Sequence, residues 1–318
     1  MAPAPRASSP FTAARVLLVA GKGGVGSTTV AAGIALLAAR AGADVLLIAV
    51  DGKPGLGPLL GGTPLGPTEQ VLRVTGGSGR VRGRTIPPEQ AFSDYLDLKG
   101  MGGVIRKAVS AVSLDVVAAS TPGLEHLLVL GKVKELERTK AADLIIVDSP
   151  PAGHAAPFLR AAQAMQDVVA SGPVRQQADE VTAMLADPSR ARATLVTLAE
   201  ETPVNEVVEL AHDVDRIGLE LTPLVINACW PDRPGLSLSV TAAARDSDIT
   251  LPAAVRSALV SSSRFGAARL DVQREQIARL GAALPGSHVV LPRLATPRLG
   301  PEDLELLADA LEFSPVFA

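Results

Sequence analysis

Nine residues, Gly21-Lys22-Gly23-Gly24-Val25-Gly26-Ser27-Thr28-Thr29, follow the apolar run Arg15–Ala20 and open a helical pattern, Thr29–Ala41, which Gly42 is placed to stop. A strand, a glycine-rich turn and a helix N-terminus bring free backbone N–H groups and the positive end of a helix dipole to one point, which makes an anion site. The general phosphate-loop pattern is G-x-x-x-x-G-K-[ST]. Gly21, Gly26 and Thr28 fit it, but a serine, Ser27, stands where the lysine belongs, and a different lysine, Lys22, follows the first glycine. The pattern places the Thr28 hydroxyl on a phosphate-bound magnesium and Thr29 near the α-phosphate.

Short apolar runs recur along the chain at Arg15–Ala20, Val45–Val50, Asp115–Ser120, Leu144–Asp148, Thr194–Leu198, Leu224–Asn227 and His288–Leu291, with helical patterns between them. Several are apolar on both faces, as buried parallel strands are. The alternation predicts an α/β fold, a doubly wound and mostly parallel sheet, with ligands at the carboxyl ends of its strands. Residues 52–88 break the rhythm as a Gly- and Pro-rich loop and hairpin. The expected organisation is a disordered tail over 1–14 and one domain over 15–313, carrying a small helical insert formed by about 89–114 and 156–191. The tail lacks the apolar core of a secretory signal, and no apolar run approaches a membrane span, so the expected compartment is cytoplasmic.

Further carboxylates and amides fall at predicted strand ends. Leu144–Asp148 is an apolar strand ending in an acid, the arrangement that orients the waters of a nucleotide's magnesium. Asp51 ends the second strand, although an ordinary Asp-Gly turn explains it as well. Asn227 ends a later strand and offers one donor beside one acceptor.

Together these residues resemble the deviant Walker A loop, GKGGVGK[ST]T, of the arsenite-pump ATPases, the ATPases that target tail-anchored proteins, and the cell-division and partition ATPases. Asp148-Ser149-Pro150-Pro151-Ala152-Gly153-His154 is similar to the D-T-A-P-T-G-H switch of the first two groups, with Gly153 and His154 matching and the hydroxyl at 152 lost; His154 alone is also compatible with a surface histidine. The resemblance implies an ATP-binding, dimer-forming P-loop ATPase that acts as a nucleotide-dependent switch. It implies that Gly21 to Thr29 hold the nucleotide, that Asp51 positions the attacking water, and that Thr28 and Asp148 attend to magnesium. It also implies that Asn227 meets the adenine edge, with Pro292 in the loop that covers the base. In such ATPases Lys22 reaches the partner's nucleotide while the lysine at the position of Ser27 holds the chain's own. The chain looks closest to short bacterial members that occur as pairs of non-identical paralogues, so a homodimer or a heterodimer with a paralogue is implied.

Composition narrows the options. A net charge of −3 argues against a nucleic-acid surface. The single cysteine, Cys229, leaves no thiolate set for arsenite and no C-x-x-C for a zinc clasp. Two helical-spacing stripes, Met101-Val104-Ile105-Ala108-Val112 and Phe158-Ala162-Met165-Val169, either line a groove for an apolar client helix or are buried helix faces. Loss of the lysine at position 27 removes a charge-assisted bond worth roughly 1.5–3 kcal/mol, about one to two orders of magnitude in binding. The expectation is therefore weakened hydrolysis at the chain's own site, with a non-hydrolysing regulatory or binding subunit as the alternative.

Overall fold

Strands apolar on both faces need cover on both sides, and the computed structural model, which describes residues 9–50, 53–98, 123–150 and 152–313, supplies it. The strands are β1 (Val16–Gly21), β2 (Asp44–Ala49), β3 (Gln70–Val74), β4 (Arg80–Thr85), β5 (Leu144–Asp148), β6 (Ala191–Leu198), β7 (Leu224–Cys229) and β8 (His288–Pro292). They form one sheet in the order β3-β4-β2-β5-β1-β6-β7-β8. Every pairing is parallel except the β3–β4 hairpin. The α/β, mostly parallel architecture is the one expected. The expected strand Asp115–Ser120 lies outside the described residues.

Side chains of a strand alternate between faces, and the core divides accordingly. Val16, Leu18 and Ala20 of β1 join Leu46, Ile48, Ile145 and Val147 on one face, while Leu17 and Val19 join Val45, Leu47, Leu144 and Ile146 on the other. The second face is covered by α1 (Ser27–Arg40) and the C-terminal helix Pro301–Phe313, which pack on each other. The first is covered by further helices. In chain order after α1 these are α2 (Pro88–Leu98), α3 (Leu124–Arg138), α4 (Ala152–Val168), α5 (Pro173–Leu185) and α6 (Glu201–Arg216). Helices α2 to α5 pack on one another, and the buried faces of α3, α4, α5 and α6 share the core beneath that side of the sheet. Phe158, Ala162 and Met165 of α4 lie in that core, so this stripe is a buried helix face and not an open groove. The Met101 stripe lies outside the described residues. Beyond α6 come α7 (Val240–Asp246), the long α8 (Ala253–Ala283) and α9, the C-terminal helix already given. No helix among the described residues is long and apolar enough to cross a membrane.

Two local outcomes carry physical lessons. Residues 9–14, expected in a disordered tail, are ordered: Pro10–Thr12 makes one turn capped by Ser9, and Phe11 is buried in the core of the second face. One buried aromatic is enough to tie a terminal segment down. Arg80 and Arg82 of β4 form ion pairs with Asp44 of β2, and Arg82 also reaches Glu69. Their charge is spent within the sheet edge.

His288 opens β8 and is buried. Burial pushes its imidazole below the ordinary 6.5, against a smaller upward pull from a hydrogen bond to the Leu284 backbone. The folded chain binds the proton less readily than the unfolded chain, so the contribution is complete well above 6.5 and is lost as pH falls through and below 6.5. Denaturant titrations across this range should therefore show stability rising with pH, and a His288→Gln chain should show a flatter slope. An unchanged slope would assign the pH dependence to other groups.

Candidate functional site

Chain order reverses across the sheet at β1. From β1 the chain crosses to β2 on one side, and after β5 it returns to build β6, β7 and β8 on the other. Ligands of open α/β sheets bind at the carboxyl edge of such a switch point, and the glycine-rich loop leaves β1 there. Gly21 sits against the β6 backbone so closely that a Cβ would fall 2.6 Å from the Val196 carbonyl oxygen. Gly26 has φ +87° and caps α1 without a side chain. The first N–H groups of α1, from Ser27, Thr28 and Thr29, thus face the mouth of the loop without a side-chain cap. Gly23 and Gly24 are exposed, and Val25 is buried beneath the loop.

Asn227 reaches the same loop from β7. The pairing of β7 with β8 shifts register between Ile226 and Cys229, and Ala228 there takes a left-handed φ of 52°. Such a bulge re-aims side chains. The Asn227 amide donates to the Val25 carbonyl at 2.8 Å, and a Cβ on Gly26 would lie 2.3 Å from that amide nitrogen. Asn227 therefore braces the loop with one of its two N–H donors. Pro292 ends β8 and is exposed; the next residue, Arg293, stacks its guanidinium on Trp230 at 4.9 Å. Beside them Cys229 is buried, which pushes its thiol up to about 11.

Asp148 ends β5, in register with Val19 of β1 and Ala49 of β2, and has no exposure to solvent. Burial pushes its carboxyl above the ordinary range, opposed by the Lys53 ammonium and by a hydrogen bond from Thr28. Lys53 Nζ donates to Asp148 Oδ1 and to the Ser149 backbone carbonyl, each at 2.5 Å. Among the described residues Asp148 Oδ2 and Ser149 Oγ have no partner. Thr28 and Asp148 are the oxygen donors a magnesium ion takes, and the orphaned Oδ2 suits one of its waters. An ammonium ion nevertheless holds the other oxygen, so the donor set as arranged does not fit the metal.

Lys22 is exposed at the outer rim and forms an ion pair with Glu206 of α6, whose Oε2 is otherwise unpartnered. Of the switch run, Ser149 and Pro150 are buried, while Gly153 and His154 are exposed at the start of α4. Asp51 and Pro151 lie outside the described residues. The structure thus brings Gly21 to Thr29, Asp148, Ser149 and Asn227 together. It adds Lys53 and Glu206, which sequence reasoning did not single out. The departure of Asp51-Gly52-Lys53 from D-P-A was the available signal for Lys53; nothing local marks Glu206.

A glycine-rich loop between a central parallel strand and a helix, with a buried acid on the neighbouring strand, defines a P-loop ATPase. Comparison with known proteins agrees. The model of the anion-transporting ATPase family matches residues 14–62. ATPase BagA of Mycobacterium tuberculosis is 34% identical over 232 residues, covering 70% of this chain and 67% of that protein. An arsenical pump-driving ATPase of Escherichia coli is 26% identical over 233 residues, 68% of this chain and 39% of that one. An arsenical pump-driving ATPase of Acidiphilium multivorum is 31% identical over 214 residues, 67% of this chain and 34% of that one. The chain belongs to the arsenite-pump, or anion-transporting, ATPase family.

The two strained glycines separate backbone cost from steric cost. Gly24 (φ +89°) has nothing within 4 Å of a built Cβ, whereas Gly26 (φ +87°) meets Asn227. Gly24→Ala should lose roughly 1–2 kcal/mol from left-handed strain. Gly26→Ala should lose more, since the Val25–Asn227 bond must also give. Chemical denaturation of both variants checks the order; equal losses would show that the Asn227 brace contributes nothing.

Proposed function

We propose that this chain is an ATP-binding subunit of a dimer, acting as a nucleotide-dependent conformational switch whose own hydrolysis is weakened by Ser27. The residues of Gly21 to Thr29 cradle the phosphates, Asn227 and Pro292 border the base, and Asp148 through His154 form the segment that responds to nucleotide. Asp51 is the candidate to position a water. The organisation is one ATPase domain with its helical insert, and the compartment is cytoplasmic. The observation that carries the proposal is the pairing of a retained Lys22 with a serine at position 27. Such a chain keeps the cation given to a partner and lacks the one it would use itself.

The setting of Lys22 supports this division. Its side chain is 45% exposed, and its pair with Glu206 is a surface ion pair, of a kind worth about 0–1 kcal/mol. Exchanging Glu206 for a partner's phosphate therefore costs little. A paralogous ATPase with an intact loop is the partner best matched to that asymmetry, and a homodimer is the simpler alternative. A client helix remains part of the family reading, but its groove would have to be built from segments other than the buried face of α4. Asp148 and Thr28 are the residues that would attend to magnesium in the family arrangement; the ammonium on Asp148 weighs against that role here.

The chain alone should hydrolyse ATP at a rate well below that of an intact paralogue. Mixing the two should raise turnover beyond the sum, and Lys22→Ala should cancel the gain, by about 10²-fold or more if the lysine acts on transition-state charge. Steady-state phosphate release measures all three. Robust turnover by the chain alone, abolished by Asp51→Asn, would refute the weakened site; an inert Lys22→Ala would refute the contribution in trans.

A further inference from the structure

The inner wall of the loop already contains a cation. β2 is paired with β5 so that Ala49 lies beside Asp148, and the chain leaving β2 returns at Lys53 over the carboxyl edge of β5. There Lys53 is fixed by two acceptors, the Asp148 carboxylate and the Ser149 carbonyl. An ammonium has three N–H donors, so one is left to face a ligand. Asp148 stands beside Val19 of β1, the strand from which the glycine-rich loop leaves at Gly21, so this ammonium lies at the loop's own strand end. The Lys53 side chain is 17% exposed, shielded enough for its charge to act strongly. Lys22, by contrast, points to the rim and Glu206.

We propose, on the footing of the nucleotide-binding reading above, that Lys53 is the resident cation of this site. It sits on the carboxylate that would otherwise orient a magnesium ion's waters, and it supplies from the β2 side the charge that position 27 lacks. The loop then binds the phosphates of a nucleotide without a divalent metal. Ser27 and Lys53 are two halves of one rearrangement: the cation has moved from the helix that carries the loop to the segment that faces it. Binding is retained, and no metal is held where hydrolysis would need one.

The test is titration of the full-length chain with a fluorescent ATP analogue and a fluorescent ADP analogue, in buffer with magnesium and in buffer with EDTA. Wild-type affinity should change by less than about threefold between the two buffers. Lys53→Met should weaken binding in EDTA by roughly tenfold or more, the size of one charge-assisted bond to phosphate. Lys53→Arg should retain most of it, and adding Ser27→Lys to Lys53→Met should restore it. Thermal melting of each variant confirms the fold, and the wild-type comparison of buffers needs no variant. Wild-type binding seen only with magnesium would overturn the role of Lys53 and leave the nucleotide reading intact. So would a Lys53→Met chain that binds as tightly as wild type in EDTA. No binding by the wild type in either buffer would overturn both.

Discussion

A carboxylate with no exposure to solvent needs a cation beside it to stay charged, and in this chain that requirement falls on Asp148. Asp148 is buried because β5 runs between β1 and β2 in the centre of the sheet, and its strand neighbours deliver the two segments that matter. β1 delivers the loop and Thr28; β2 delivers Lys53. The identity of the cation on Asp148 is therefore coupled to both segments, and a change in one alters what the other must do. In a P-loop ATPase that uses a metal, the acid orients the metal's waters. Here it orients an ammonium from its own chain.

The sheet was legible because its signal is physical and repeated. Runs such as Leu144–Asp148 and Val45–Val50 are apolar at successive positions, which only a strand covered on both faces accommodates, and six of the seven expected runs correspond to strands in the structure; the seventh falls outside the described residues. The loop was legible for a similar reason, since Gly21 and Gly26 answer backbone demands that no other residue meets at those places. What was not legible depends on contacts between residues far apart in sequence. The brace from Asn227 to Val25 spans 202 positions, and the pair of Lys22 with Glu206 spans 184. Phe11 was missed because a terminal stretch rich in Ala, Pro and Ser gives no periodic signal, although one buried ring fixes it.

The two lysines divide the site by depth. Lys22 lies on the outer rim, half in water, where its ion pair holds it loosely; Lys53 lies inside, where two acceptors and low exposure hold it firmly. Loosely held charge is suited to a contact made only when another molecule arrives, because the cost of exchanging partners is small. Firmly held charge is suited to preorganisation, because its orientation is fixed before a ligand enters. On the proposed reading, the half-exposed cation outside serves a neighbour and the shielded cation inside holds the chain's own nucleotide.

Such a change is open to this fold because position 27 carries chemistry and little structure. Ser27 is the first residue of α1, half-buried, where the backbone N–H groups and the dipole remain whatever the side chain. The adjoining residues of α1, from Val30 to Ala39, supply the burial that fixes the helix on the sheet. The residues that fix α1 on the sheet and the glycines that shape the loop lie at other positions, so a serine at 27 offers a phosphate a hydroxyl in place of a charge. Fold and family can stay readable across such a change while activity does not. That separation explains how a chain can keep every backbone demand of a phosphate loop while its side chains redistribute the charge around it.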